Sequence, residues 1–161
     1  MLRLDHTYYD RELRPPLGAL LVGKGLVSKE QLDEALSERA KTGELLGQVL
    51  LRRSWIFEDE LARVLAEQHD LEFLNLRSVG VDRRLLMLIP PEAGQRLRAI
   101  PVRHLEDGDV LTAVADPNDR DGMAELVELV AQKARSLRIV VAEPSAIDEI
   151  WERFTRGAAV A

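Results

Sequence analysis

Leu17-Gly18-Ala19-Leu20-Leu21 and Leu46-Gly47-Gln48-Val49-Leu50 are one phrase written twice, 29 residues apart. The same offset holds through Leu26/Trp55, Val27/Ile56, Leu32/Leu61, Ala35/Val64 and Leu36/Leu65. Each copy opens with a short apolar turn of helix, breaks at Gly25 or Ser54, and resumes with apolar positions three and four apart. That is the period of a one-sided helix. The spacing predicts a helix pair in each copy, and two pairs packed together, because neither buries its apolar stripe alone.

Moving outward, Pro15-Pro16 suits the opening turn of the first helix, where the missing N–H is not needed. Gly23 and Gly25 stop that helix, and Ser28-Lys29-Glu30-Gln31 is a capping box that starts the second. This second helix should run to about Thr42, with Leu32, Ala35 and Leu36 as its inward face. At the second joint Ser54 replaces Gly25 and Phe57 replaces Ser28, so the turn is expected to be less well capped. A left-handed Ser54 carries a strain of about 1 kcal/mol. The fourth helix is expected over about Glu58 to His69, with Leu61, Val64 and Leu65 inward and Asp70 as its break.

From Leu71 the pattern changes. Leu71 to Leu76 alternates like a half-buried strand, and Asp82 caps a short helix that ends before Pro90. Pro91-Glu92-Ala93 opens another helix. Ala99 to Leu105 and Val110 to Ala115 flank an Asp107-Gly108 hairpin signal. A turn at Asp116-Pro117-Asn118-Asp119 leads to a helix over about Gly122 to Ala134, then a strand over Leu137 to Ala142. Glu143-Pro144-Ser145 caps a helix ending near Phe154. The expected fold class is α+β: a helical lobe of two repeated helix pairs, then a small α+β lobe with a three- to four-stranded sheet. The expected division is an irregular arm over 1–14, the repeat lobe over 15–70, the α+β lobe over 71–155 and a mobile tail over 156–161.

Composition bounds the function. Of 161 residues, 46% are hydrophobic and 31% charged, which is ordinary for a soluble globular chain. Cysteine is absent, so disulfides and thiolate metal sites are excluded. The longest apolar runs fall far short of the roughly 20 residues of a membrane span. The first residues lack the apolar core and cleavage site of a signal peptide, and a cytoplasmic protein without direct membrane insertion is expected. A net charge of −6 argues against a nucleic-acid backbone as partner.

Catalytic signatures are missing. Gly23-Lys24-Gly25 is not a phosphate loop, because the lysine is followed by glycine inside a helical repeat. His6, His69 and His104 have no triad or ligand spacing and read as surface or satisfied histidines. Asp116, Asn118, Asp119 and Asp121 miss the spacing of a calcium loop and read as a turn and helix cap. Lys29, Arg39, Lys41, Arg52, Arg53 and Arg63 are scattered among acids and form no helix-turn-helix recognition face. No enzyme and no obligatory cofactor or metal is expected.

The doubled motif, the spacer Ala40 to Glu44 and the α+β pattern together resemble the N-terminal domain of the ATPases that power type II secretion and type IV pilus assembly. Leu88-Ile89-Pro90, Ala99-Ile100-Pro101-Val102 and Leu111 to Pro117 add to the resemblance, which runs from about Leu17 to Phe154. The ATPase core of that family is absent. In some members the doubled motif, Arg-Leu-Gly at its start and Gln at its end, binds cyclic di-GMP. This sequence keeps Leu17-Gly18, Leu46-Gly47 and Gln68, but Pro16 and Leu45 stand at the arginine positions and Arg39 at the first glutamine. Arg14, two residues early, and Arg39 are the candidate substitutes.

Two functions are implied by the resemblance. The first is a non-catalytic adaptor or regulator that docks on a protein of a secretion, pilus or motility machine, with Trp55, Ile56 and Phe57 as the contact surface. Three consecutive large apolar groups cannot all be buried by one helix face; the plainer reading is two core residues and one exposed side chain. The second is a cyclic di-GMP receptor with a pocket of Arg14, Leu17, Gly18, Arg39, Leu46, Gly47 and Gln68. Its plain counterpart is a repeat core in which Leu-Gly pairs are packing positions.

Overall fold

In the computed structural model the described residues are 14–133 and 136–160, the last three by their backbone. Apart from Arg14, the expected N-terminal arm lies outside them. Four helices carry the repeat: α1 (Leu17–Gly23), α2 (Lys29–Thr42), α3 (Leu46–Arg52) and α4 (Glu58–Gln68). The two joints are superimposable in their hydrogen bonds. Gly25 N–H reaches Val22 O and Leu26 N–H reaches Leu21 O, while Ser54 N–H reaches Leu51 O and Trp55 N–H reaches Leu50 O, all at 3.0 Å. Gly25 (φ 71°) and Ser54 (φ 58°) both take the left-handed conformation that this closure needs. The joints differ at the start of the next helix. Ser28 and Gln31 form both bonds of a capping box, at 3.1 and 2.9 Å, whereas Phe57 N–H finds only Glu60 Oε2 at 3.5 Å.

Past α4 the chain forms α5 (Leu76–Val79), a 3-10 helix (Arg83–Leu88), α6 (Pro91–Leu97), β1 (Ala99–His104), β2 (Val110–Val114), α7 (Arg120–Ala131), β3 (Leu137–Val141) and α8 (Pro144–Val160). The sheet runs β1-β2-β3, antiparallel across the Gly108 hairpin and parallel across the α7 crossover. This is the α+β class expected from the sequence, with three strands.

Two details depart from the sequence reading. The alternating stretch from Leu71 makes a single parallel bridge, Phe73 to Val141, because Asn75 turns the chain into α5 by accepting the Arg77 N–H at 3.1 Å. The last helix runs on to Val160, past Phe154, since Phe154 packs edge-on to Trp151 at 6.0 Å and stays in the helical register.

Two apolar clusters fill the interior. One joins the repeat helices and takes in Val141 of β3; the other joins the sheet to α6, α7 and α8 around Trp151. Trp151 is fully buried, donates its Nε1–H to Ala99 O at 2.9 Å, and packs closely against Gly94. The contact with β3 makes the two repeat copies unequal. Leu61 and Leu65 of α4 are 4% and 1% exposed, whereas their counterparts in α2 are Leu32, half-buried, and Leu36, 41% exposed. The expected inward face of α2 therefore keeps buried Ala35 and half-buried Leu32 and loses Leu36, because β3 packs on α4.

Candidate ligand-binding site

The starts of α1 and α3 and the ends of α2 and α4 converge on a cavity of about 420 Å³. Arg14, Leu17, Gly18, Arg39, Leu46 and Gln68 line it. Gly47 does not; it faces a smaller cavity of about 60 Å³ shared with α6 and Pro144. Leu32 and Leu36 give the large cavity an apolar flank, which explains why the α2 leucines are less covered than those of α4.

The two motif glycines are close-approach positions. A Cβ on Gly18 would lie 2.7 Å from Leu32 Cδ1, and one on Gly47 would lie 3.0 Å from Leu61 Cδ2. Leu32 and Leu61 are themselves repeat equivalents, so each glycine lets the short helix of its copy settle on the long one. At Gly18 the same closeness shapes the cavity wall.

The remaining wall comes from outside the doubled motif. The turn between β2 and α7 contributes Asp116, Pro117, Asn118 and Arg120, and His69 comes directly after the end of α4. Arg14 Nη1 lies 2.8 Å from His69 Nδ1, and His69 Nε2 lies 3.0 Å from Asn118 Oδ1. Asn118 Nδ2 donates to Gln68 Oε1 at 3.0 Å, and Gln68 Nε2 donates to Pro15 O at 3.1 Å. The circuit joins the entry of α1, the end of α4 and the β2–α7 turn, three segments far apart in sequence.

Burial pushes His69 down to about 4, helped by the Arg14 charge and opposed by the bond to Asn118. His69 is therefore neutral at pH 7. Burial also raises the Asp116 carboxyl to about 6, with the Asp119 charge adding and Asn118 N–H and Arg39 opposing. Asp116 Oδ1 accepts the Asn118 N–H at 2.9 Å, and its Oδ2 lies 3.3 Å from the point where a Gly47 Cβ would sit. Asp119 Oδ1 accepts Gly122 N–H at 3.0 Å and caps α7. The turn-and-cap reading of this segment is thus accurate but incomplete, because Asp116 and Asn118 also face the cavity. Sequence reasoning passed over His69, Asp116 and Asn118 as site residues; the adjacency of His69 to the motif glutamine Gln68 was the available signal.

Trp55, Ile56 and Phe57 divide. Ile56 is buried in the helical core, Trp55 is half-buried with the Arg53 guanidinium 5.2 Å from its ring, and Phe57 is 74% exposed. Among the described residues no cluster of His, Asp or Glu could hold a metal ion, and no helix is long and apolar enough to cross a membrane.

The model of the MshEN domain matches residues 69–161, more than half of the chain. The chain belongs to the MshEN domain family. Its repeat lobe is matched by longer alignments. The type IV pilus assembly ATPase PilB of Thermus thermophilus is 36% identical over 138 residues, 85% of this chain and 15% of that protein. Its Myxococcus xanthus counterpart is 29% identical over 86% of this chain and 24% of its own length. The bacteriophage adsorption protein B of Escherichia coli is 30% identical over 78% of this chain and 16% of its length. The chain thus spans a small part of each relative, and these 161 residues hold no ATPase core. Among solved structures, MshE with cdg superposes with a TM-score of 0.72 at 30% identity, covering 88% of this chain and 99% of that one. The N-terminal domain of XpsE shares the fold, with a TM-score of 0.70 at 22% identity over 85% and 92%.

Proposed function

We propose that this MshEN domain is a non-catalytic regulatory module that takes cyclic di-GMP in its large cavity and signals occupancy to a protein of a pilus, secretion or motility machine. The observation that carries the reading is the convergence of both copies' first and last residues on one cavity, with Arg14 bonded to His69 at its wall. The chemistry matches a cyclic dinucleotide. Arg14 and Arg39 suit phosphodiester oxygens or guanine O6 and N7, and the leucines suit the faces of bases. A volume of about 420 Å³ lies in the usual range of small-molecule sites. MshE, 30% identical, is the relative described with cdg. Pro16 and Leu45 remove the motif arginines, and Arg14 is the group that would replace the first of them. Because the cavity wall takes side chains from both the 15–70 and 71–155 lobes, a ligand there bears on how the lobes sit together.

The test is calorimetric titration of cyclic di-GMP, with Arg14→Ala and Arg39→Ala beside the unaltered chain. Saturable micromolar binding, weakened tenfold or more by the loss of a charged hydrogen bond, is the expected result. No heat and no thermal shift at millimolar ligand would defeat the receptor reading.

A second reading, an adaptor without ligand, is favoured by Phe57, which stands 74% exposed at the joint between α3 and α4. In that reading a protein partner of the machine covers Phe57 and the edge of Trp55, and recruits the chain to the inner face of the cytoplasmic membrane. Phe57→Ser then abolishes the contact while the cavity plays no part.

A further inference from the structure

The circuit on the cavity wall has a sense that is forced from both ends. A guanidinium only donates and a peptide carbonyl only accepts. Arg14 therefore makes His69 Nδ1 an acceptor, which in a neutral imidazole puts the proton on Nε2. Nε2–H must donate to an oxygen, so Asn118 turns Oδ1 to His69 and Nδ2 to Gln68. Gln68 in turn points Oε1 at Asn118 and one N–H at the Pro15 carbonyl. Reversing either amide would set N–H against N–H or oxygen against oxygen along the line. The choice between amide N and O, ordinarily a matter of assignment, is fixed here by chemistry.

We propose that His69 and Asn118 are positioning residues that set the purine preference of the cavity, by occupying the Gln68 amide oxygen while the Pro15 carbonyl holds the amide nitrogen, so that Gln68 meets the ligand with N–H. The inference rests on the cyclic dinucleotide reading above. A glutamine that can turn both amide atoms on a base matches adenine, which offers a donor at N6 beside an acceptor at N7. With one N–H held by Pro15 O, Gln68 has one left to present, which suits guanine O6 or a phosphate oxygen and is opposed by the adenine N6 donor. Arg39 stands at the repeat position equivalent to Gln68, and a guanidinium is donor-only in any orientation. The circuit makes the end of the second copy behave like the end of the first. Neither His69 nor Asn118 belongs to the doubled motif, and Asn118 arrives from the other lobe. Purine choice is thereby tied to the docking of the β2–α7 turn against α4.

The experiment has two arms. In the first, ¹⁵N shifts of the ligand-free chain at pH 7 read the His69 tautomer; Nε2–H is expected, and Nδ1–H would overturn the circuit. In the second, cyclic di-GMP and cyclic di-AMP are titrated into the unaltered chain, Asn118→Ala and Asn118→Asp. The unaltered chain should prefer cyclic di-GMP about tenfold or more, the scale of one good base contact. In Asn118→Ala the preference should fall to about threefold or less, with the thermal midpoint confirming the fold. If that variant does not fold, Asn118→Asp carries the test: its carboxylate still accepts from His69 but cannot donate to Gln68. Its charge weakens both dinucleotides, so the ratio isolates the loss of the bond to the Gln68 oxygen. An unchanged ratio in a folded variant, or no preference in the unaltered chain, overturns the proposal. If neither dinucleotide binds, the receptor reading falls and the purine preference with it, while the tautomer still upholds or overturns the circuit from Arg14 to Asn118.

Discussion

Asp116→Asn should make this protein more stable at neutral pH, although Asp116 is hydrogen-bonded in the fold. Its carboxyl is raised from 3.8 to about 6, chiefly by burial. Between those two values the folded state holds a proton that the unfolded state has released. The stability from this group is therefore complete below about pH 3.8 and is lost as pH rises through 6. By pH 7.5 the loss amounts to about 3 kcal/mol. Asparagine keeps an oxygen for the Asn118 N–H and has no charge to desolvate, so it should recover up to about 3 kcal/mol at pH 7.5 and almost nothing at pH 4. The lost attraction to Arg39 trims that figure. His69 has the opposite sign. Its folded value is lowered from 6.5 to about 4, so its contribution is present above pH 6.5 and lost as pH falls towards 4, again by about 3 kcal/mol. In the unaltered chain the two slopes largely offset each other over pH 4 to 6. Asp116→Asn should uncover the His69 slope, giving a variant that loses stability steadily on acidification. Urea unfolding followed by the fluorescence of Trp55 and Trp151, at half-unit steps from pH 4 to 7.5, reads all of this. A variant no more stable at pH 7.5, or one with the same gain at both ends of the range, refutes the reasoning. A gain would mark the cavity wall as a place where stability is held below its optimum, as binding sites often are.

Other expectations rest on particular contacts. In Gly94→Ala the new methyl would lie 2.3 Å from the buried Trp151 ring, and the variant should lose about 1–3 kcal/mol or more in urea midpoint measurements; an unchanged midpoint would contradict the packing of α6 on α8. Gly18→Ala meets only the flexible end of Leu32, which can yield into the cavity, so its stability cost should stay below about 1.5 kcal/mol. Cyclic di-GMP affinity should drop because Leu32 then occupies ligand space, and calorimetry showing full affinity would count against the site. Ile56→Ala should cost about 2–5 kcal/mol while Phe57→Ser stays within about 0.5 kcal/mol, since one side chain is core and its neighbour is in solvent. Equal losses in thermal unfolding would show that the joint is packed differently.

The doubled phrase from Leu17 to Leu65 determined the helical half almost completely. Its period placed four helices, its 29-residue offset paired them, and Gly25 with Ser54 marked both joints, because helix boundaries depend on neighbouring residues. The hairpin at Gly108 and the starts at Asp82, Pro91 and Pro144 were legible for the same reason. The Leu71 to Leu76 stretch misled, since alternation signals a strand only where a partner edge runs alongside, and β3 offers one residue of it before Asn75 diverts the chain. Leu36 misled in the same way: its helical face is apolar, but no second layer reaches it.

The lining of the candidate cavity was legible only in its local half. Arg14, Leu17, Gly18, Arg39, Leu46 and Gln68 could be nominated because they mark the ends of a repeat, and a repeat brings its ends together. Asp116 and Asn118 could not, because each had a sufficient local role in the turn before α7. Their place on the cavity wall exists only because the sheet docks on α4 through Val141 and carries the β2–α7 turn to the end of that helix. Periodicity and caps are short-range physics and are written in the sequence. The enclosure that neutralises His69, raises Asp116 and orients Gln68 comes from the meeting of surfaces distant in sequence, and that only the tertiary structure decides.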